Sequence, residues 1–261
     1  MKSKQSFYKR HDTLILGAIS VVIVLGLWQV VWNLKWISPL FFTGPSEVVK
    51  KFRELRNEGT LLSDMAFSGQ TFAIGFLLAS ITGIVLGIIF GWYRWIRLLS
   101  SPWVTAFYSM PRVAMVPLII MWVGTGMSSK IFIVFLFSFF PILVNTIAGV
   151  KALDPDLLRA ARAYCATDWQ IFKTVALPGS VPFILTGISQ GVSLGLIGVV
   201  IGEMLGGGSQ GVGYMVAYGG QAFQTDTMFV GVVIIASAGI LFTWLTERLE
   251  RRFSRWKPEH Q

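Results

Sequence analysis

Six times along this chain, 20 residues or more pass without a charged side chain: Thr13 to Leu34, Met65 to Tyr93, Ile131 to Val150, Thr174 to Gly202, Met204 to Thr225 and Thr227 to Thr246. A helix needs about 20 apolar residues to cross the hydrocarbon core of a bilayer. Within that core every backbone N–H and C=O must find a partner, so an open, irregular segment cannot stand there. The charged fraction is 13%, against about 25% in ordinary soluble domains, and cannot cover a water-facing surface of this size. The chain is expected to be an all-α, polytopic membrane protein. A soluble enzyme, a disordered chain and a disulfide scaffold are all poor fits.

The first run follows Lys2, Lys4, Lys9 and Arg10. Its apolar part is too long for a signal peptide and no small-x-small site closes it, which predicts an uncleaved first span. Leu98 to Ser129 is interrupted by Pro111, Arg112 and Pro117 and reads as one broken span, with a turn at Gly124-Thr125-Gly126. Met204 to Thr225, with seven glycines and three glutamines, reads as an irregular loop. About six transmembrane helices are therefore expected, with both termini on one side. On that topology 15 Lys and Arg fall inside and six outside (Lys35, Lys50, Lys51, Arg53, Arg56 and Lys130), with Arg112 in a span. The bias places both termini in the cytoplasm. The expected organisation is one transmembrane domain over 1–261, with cytoplasmic tails at 1–12 and 247–261 and a cytoplasmic loop at 151–178. Val48, Phe52 and Leu55 share a helical face around Lys50 to Arg56, which predicts an amphipathic helix on the outer surface.

The net charge of +9 is spread between the apolar runs rather than gathered on a basic face, so no nucleic-acid partner is expected. Cys165 is the only cysteine, which excludes an intrachain disulfide, and His11 and His260 stand at opposite ends. No phosphate-binding GxxxxGK[ST] and no HExxH is present, so no catalytic residue, metal site or cofactor is expected in this chain. Small residues recur at a four-residue stride at Gly75, Ala79, Gly83, Gly87 and Gly91, and again at Gly187, Gly191 and Gly195. Such lines predict close helix packing. Charges inside spans mark pathways or paired structural sites. Arg112 and Glu203 are the candidates: Arg112 either meets an anionic solute or pairs with Glu203 or a freed carbonyl. Met110, Met115 and Met121 are expected in the core. No internal repeat is visible, and the spans offer few acids for an ion-coupled carrier or a channel, the alternative reading. A membrane enzyme, a third class, finds no cluster of His, Cys or carboxylates.

The loop between the fourth and fifth spans carries the most specific signal. Asp154 suits a helix cap, Pro155 its first turn and Asp156 the positive end of its dipole. Thr167-Asp168-Trp169-Gln170 follows as a capping box, predicting a second short helix at an angle to the first. Two exposed amphipathic helices call for a partner with a groove. Arg159-Ala160-Ala161, Cys165-Ala166, Phe172, Val175, Leu177-Pro178 and Pro182 resemble the EAA loop of ABC-importer permeases, which implies an ATPase-coupling loop that also takes in Trp169. That loop usually runs Glu-Ala-Ala, three residues, Gly, then an apolar-x-Leu-Pro. Phe42 to Val49, Pro111 to Gly126 and Gly202 to Tyr214 extend the resemblance to the subfamily importing sulfonates, taurine, nitrate, bicarbonate or pyrimidine precursors. Here Arg159 replaces the family Glu, and Cys165 the family Gly. A residue with positive φ at Cys165 would cost roughly 1–2 kcal/mol relative to glycine. The resemblance implies a type I importer in a bacterial inner membrane. It implies a second permease copy (a homodimer), an external solute-binding protein, and a cytoplasmic ABC ATPase dimer that holds the ATP and Mg. Leu205 to Gln210 superficially resembles the ATPase LSGGQ signature but is expected to be a flexible loop.

Overall fold

The computed structural model describes residues 2–153 and 155–253, with side chains from 15 to 249. The expected Asp154 cap and the basic residues of both tails, apart from Arg248, fall outside the described side chains. Every regular element among the described residues is helical: α1 (Lys2–Asn33), α2 (Pro45–Asn57), α3 (Thr60–Trp92), α4 (Arg94–Ser109), α5 (Arg112–Val123), α6 (Met127–Lys151), α7 (Pro155–Ala163), α8 (Asp168–Ile171), a π turn (Phe172–Ala176), α9 (Leu177–Leu205), α10 (Val212–Gln221) and α11 (Thr225–Phe253). Five segments are long and apolar enough to cross a membrane: Ile15–Asn33, Thr60–Trp92, Met127–Lys151, Asp168–Leu205 and Thr225–Leu249. The pair α4 and α5, bent by 97°, makes a sixth when taken as one broken span. The bend falls at Met110, extended at φ −69° and ψ 135° because Pro111 follows it. Pro117, expected to help break the span, lies inside α5.

The chain packs as two compact units. One holds residues 1–62 and 215–233. There Pro45 starts α2 at a position that needs no N–H, after an extended Gly44. The Trp28 indole N–H donates to the Thr43 carbonyl at 2.7 Å, and the Trp28 ring lies 5.4 Å from Phe229. The Thr225 hydroxyl donates to the Leu40 carbonyl at 2.6 Å. As the sequence predicts, Lys50 to Arg56 lies in an amphipathic helix, with Val48 buried and Lys50 and Lys51 paired to Glu47 and Glu54.

The second unit, 63–214 and 234–261, is organised by α6. Both small-residue lines lie against it. A Cβ on Gly75 would meet Val134, on Gly83 Ile142, on Gly87 Thr146 and on Gly91 Val150, all of α6. From the other side a Cβ on Gly187 would meet Asn145, on Gly191 Ile142 and on Gly195 Ser138. Ala79 is fully buried. Backbones approach this closely only where side chains are absent, and in lipid that contact is the main attraction between helices. Val116 and Ile119 of α5 join Ile133 and Phe137 of α6 in one core cluster, and Phe72, Val134, Val192 and Val199 form another.

Three expectations are corrected here. Met204 to Thr225 is not wholly irregular, since it contains α10. The short helix starting at Thr167 is not separate, because α8, the π turn and α9 run on from Asp168 to Leu205. The π turn lets the Leu177 N–H reach the Phe172 carbonyl, and Pro178, which has no N–H to donate to the preceding turn, stands where the π turn passes into α9. Finally, Met121 is 78% exposed and Met110 is also exposed; of the three methionines only Met115 packs against a core cluster.

Candidate functional site

The loop after α6 is built by local rules. In α7 the Cys165 N–H donates to the Arg162 carbonyl at 2.9 Å and the Ala166 N–H to the Ala161 carbonyl at 3.1 Å. This pair of bonds is a Schellman motif, which places Cys165 at the position that glycine normally takes. Its φ is +56°, so the cysteine carries the left-handed strain that a glycine would avoid. Beyond it, the Thr167 N–H donates to Gln170 Oε1 at 2.8 Å and the Gln170 N–H to Thr167 Oγ1 at 3.3 Å, closing the capping box. Arg159 pairs with Asp156 on the same helix, so the replaced family charge is matched locally. Ala160 is exposed and Ala161 half-buried. Leu157 and Tyr164, each one turn from Ala160 on the same face, are exposed, Tyr164 at 88%. The sequence reading passed over both, although their i, i+3, i+7 spacing with Ala160 was visible. Trp169 is exposed and stacks on Phe172 at 5.5 Å, and Phe172 meets Trp92 of α3 edge-on at 5.4 Å. Leu177 and Pro178 form the first turn of α9.

Arg112 and Glu203 occupy different places. Arg112 opens α5, with its guanidinium over the Tyr108 ring at 5.3 Å and the Phe140 ring at 5.9 Å. Its Nε is buried without a hydrogen-bond partner, at the edge of a cavity of about 190 Å³ that Phe107 and Met115 also line. Glu203 is buried near the end of α9, with Lys130 as the nearby cation rather than Arg112. Ser68 Oγ donates to its carboxylate at 2.8 Å, and the Gly213 N–H donates to Oε2 at 2.7 Å. The Val212 N–H donates to Ser68 Oγ at 2.8 Å and the Gly211 N–H to Asp64 Oδ1 at 2.9 Å. Three side chains from α3 and α9 thus cap the start of α10, which is why a glycine-rich stretch becomes a helix. Gly211 has φ +112°, and a Cβ there would overlap the Glu203 carboxylate. Lys130, counted on sequence as an outer-loop charge, is also buried: it lies in the first turn of α6 with Nζ 4.8 Å from the Phe67 ring.

A polar pair that the sequence reading missed joins the last third of α6 to the middle of α9. The Asn145 amide donates to Gln190 Oε1 at 2.9 Å, and Gln190 and Ser193 are exposed. Uncharged polar residues inside apolar runs are easy to overlook. Exposed on a spanning helix, however, they need water or another subunit rather than lipid.

Together, an all-helical bundle of spanning length and a capped loop with an exposed apolar face define the class of a polytopic membrane protein. Residues 83–255 match the family described as binding-protein-dependent transport system inner membrane component, and the chain belongs to that family. It is 32% identical, over 94% of its length and 88% of the relative's, to a Bacillus subtilis (strain 168) protein assigned as an aliphatic sulfonates transport permease, SsuC. It is also 32% identical to the taurine transport system permease protein TauC of Escherichia coli (strain K12), over 97% of this chain and 92% of that one. Its fold is shared with a chain of the MetNI methionine ABC transporter in an inward-facing conformation: TM-score 0.65, 18% identity, 76% of this chain and 98% of that chain covered.

Proposed function

We propose that this chain pairs with a second copy to form the translocation path of an ATP-driven importer for a small anionic solute of the sulfonate or taurine type. An external binding protein delivers the solute, and a separate cytoplasmic ABC ATPase dimer supplies ATP and Mg chemistry. The setting is a bacterial inner membrane, with both termini cytoplasmic. The observation that carries this reading is the outward apolar face of α7, made by Leu157, Ala160 and Tyr164 beside exposed Trp169. An apolar helix face outside the spans needs a groove to cover it. The membership of the family and the names of the relatives support both the ATPase and the sulfonate class. Rocking of the ATPases would move α7, and the continuous run from Asp168 to Leu205 would carry that motion into α9.

The test is affinity purification of the tagged chain from mild detergent. A stoichiometric ABC ATPase is expected with the wild type and absent with Ala160→Asp, while the variant's melting stays within about 2 °C, since the site is exposed. Equal ATPase recovery with both proteins would sink the docking face, and a wild type that purifies alone after crosslinking would favour a stand-alone carrier.

Within the path we assign solute contact to Arg112 and to the Asn145–Gln190 pair, and a structural role to Glu203, whose oxygens are already engaged. Arg112→Gln is expected to lower uptake of an alkanesulfonate by reconstituted transporter at least about tenfold, the loss of one charge-assisted bond. Normal uptake by a stably folded variant would remove Arg112 from the path.

A further inference from the structure

At one end of the second unit a cavity of about 480 Å³ opens between the end of α3, the start of α4, the end of α6 and the two helices of the loop. Arg94, Arg97, Lys151 and Arg162 line it, against Asp168 as the carboxylate among its lining residues. Four separate elements contribute these five side chains, so the concentration of positive charge is made by the fold and not by a run in sequence. Among the described residues none of the four cations forms an ion pair. Arg97 is held in place by a bond from Nη1 to the Gly91 carbonyl at 2.8 Å, which leaves its other N–H donors free. Like charges gathered in one cavity repel one another unless an anion joins them.

The depth of the cavity selects the anion. Tyr93 and Trp95 flank Arg94, both exposed, and Trp92 lines the cavity at the end of the 33-residue α3. Exposed Trp and Tyr at the end of a long apolar helix mark the level of the lipid headgroups. Basic pockets between helix ends at that level suit phosphate-bearing lipid headgroups.

We infer that this cavity is a binding site for a phosphate group, supplied by an anionic phospholipid, that ties α7 through Arg162 to the ends of α3, α4 and α6. The binding itself stands on the geometry; only its cytoplasmic side and its bearing on ATPase coupling rest on the proposed function. Phosphate held between Arg162 and Arg94 would fix the loop against the helix ends from which motion is transmitted.

The test is native mass spectrometry of the purified full chain, with any ATPase that accompanies it, after delipidation and return of phosphatidylglycerol, phosphatidylcholine or inorganic phosphate. Wild-type protein is expected to retain phosphatidylglycerol over phosphatidylcholine. Arg94→Gln with Arg162→Gln should weaken that retention about 30-fold, at roughly fivefold for each cation lost. Lys173→Gln, an exposed cation outside the cavity lining, should change nothing. If the double variant does not accumulate, each single variant carries the same test with a fivefold loss. Retention of inorganic phosphate that displaces the lipid and falls in the same variants would keep the phosphate chemistry and overturn the lipid source. Lipid retention unchanged in the cavity variants, or equal for both lipids, would overturn the site altogether. Neither result depends on whether an ATPase purifies with the chain.

Discussion

Glu203→Ala is expected to cost about 3–5 kcal/mol and to lower the melting temperature in detergent by roughly 10 °C. The carboxylate accepts from Ser68 and from the Gly213 N–H and faces the buried ammonium of Lys130. Alanine would leave two donors, the Ser68 hydroxyl and the Gly213 N–H, without an acceptor and would remove the carboxylate nearest the buried Lys130, the costly way to break such a network. Glu203→Gln should be milder, because the amide oxygen still accepts from Gly213. Pairing Glu203→Gln with Lys130→Met should recover most of the remaining loss, with a coupling above about 1 kcal/mol in the double-mutant cycle. A melting curve for Glu203→Ala that overlays the wild type would show that the clasp contributes nothing to stability.

Gly87→Leu is expected to abolish the folded protein, and Gly87→Ala to cost about 1–3 kcal/mol. A Cβ at Gly87 would fall 2.5 Å from Thr146 Cβ and 3.1 Å from the Leu143 carbonyl. Both belong to α6, which is itself held on its other side by the glycine line of α9, so neither helix can step back. Gly69 provides the contrast on the same helix, since nothing lies within 4 Å of its Cβ position. Gly69→Ala should be neutral or slightly stabilising, as expected where alanine replaces glycine in an open helix. Thermal melts followed by size-exclusion chromatography separate the two. Equal melting of Gly87→Ala and Gly69→Ala would show that α3 does not press on α6.

Much of this protein could be read without coordinates, and the reason is physical. A bilayer leaves the backbone few options, so uncharged runs of sufficient length reveal the helices. The capping box at Thr167 and the turn at Gly124 to Gly126 were readable because caps and turns depend on a few neighbouring residues. The helix end at Cys165 was expected from the glycine position of the resembled loop, whereas the run of α8 through the π turn into α9 was not readable.

Contacts between distant residues were not readable. Met204 to Thr225 looks like a loop because its own residues offer α10 little; Asp64 and Ser68, far away in the chain, and Glu203, just before the stretch, supply the missing caps. Lys130 looks like a loop charge because sequence places it at a run's edge, while packing of α6 buries it beside Glu203. Two glycine lines announced close packing, but not that both would press on one helix. Sequence by itself determined the membrane class, the spanning helices and the capped start at Thr167, since each follows from solvation and local hydrogen bonding. Only the tertiary structure decided which charges meet: the Glu203 clasp, the isolation of Arg112 and the basic cavity at Arg94, Arg97, Lys151 and Arg162. Electrostatic pairing depends on distance in space, which separation along the chain does not constrain.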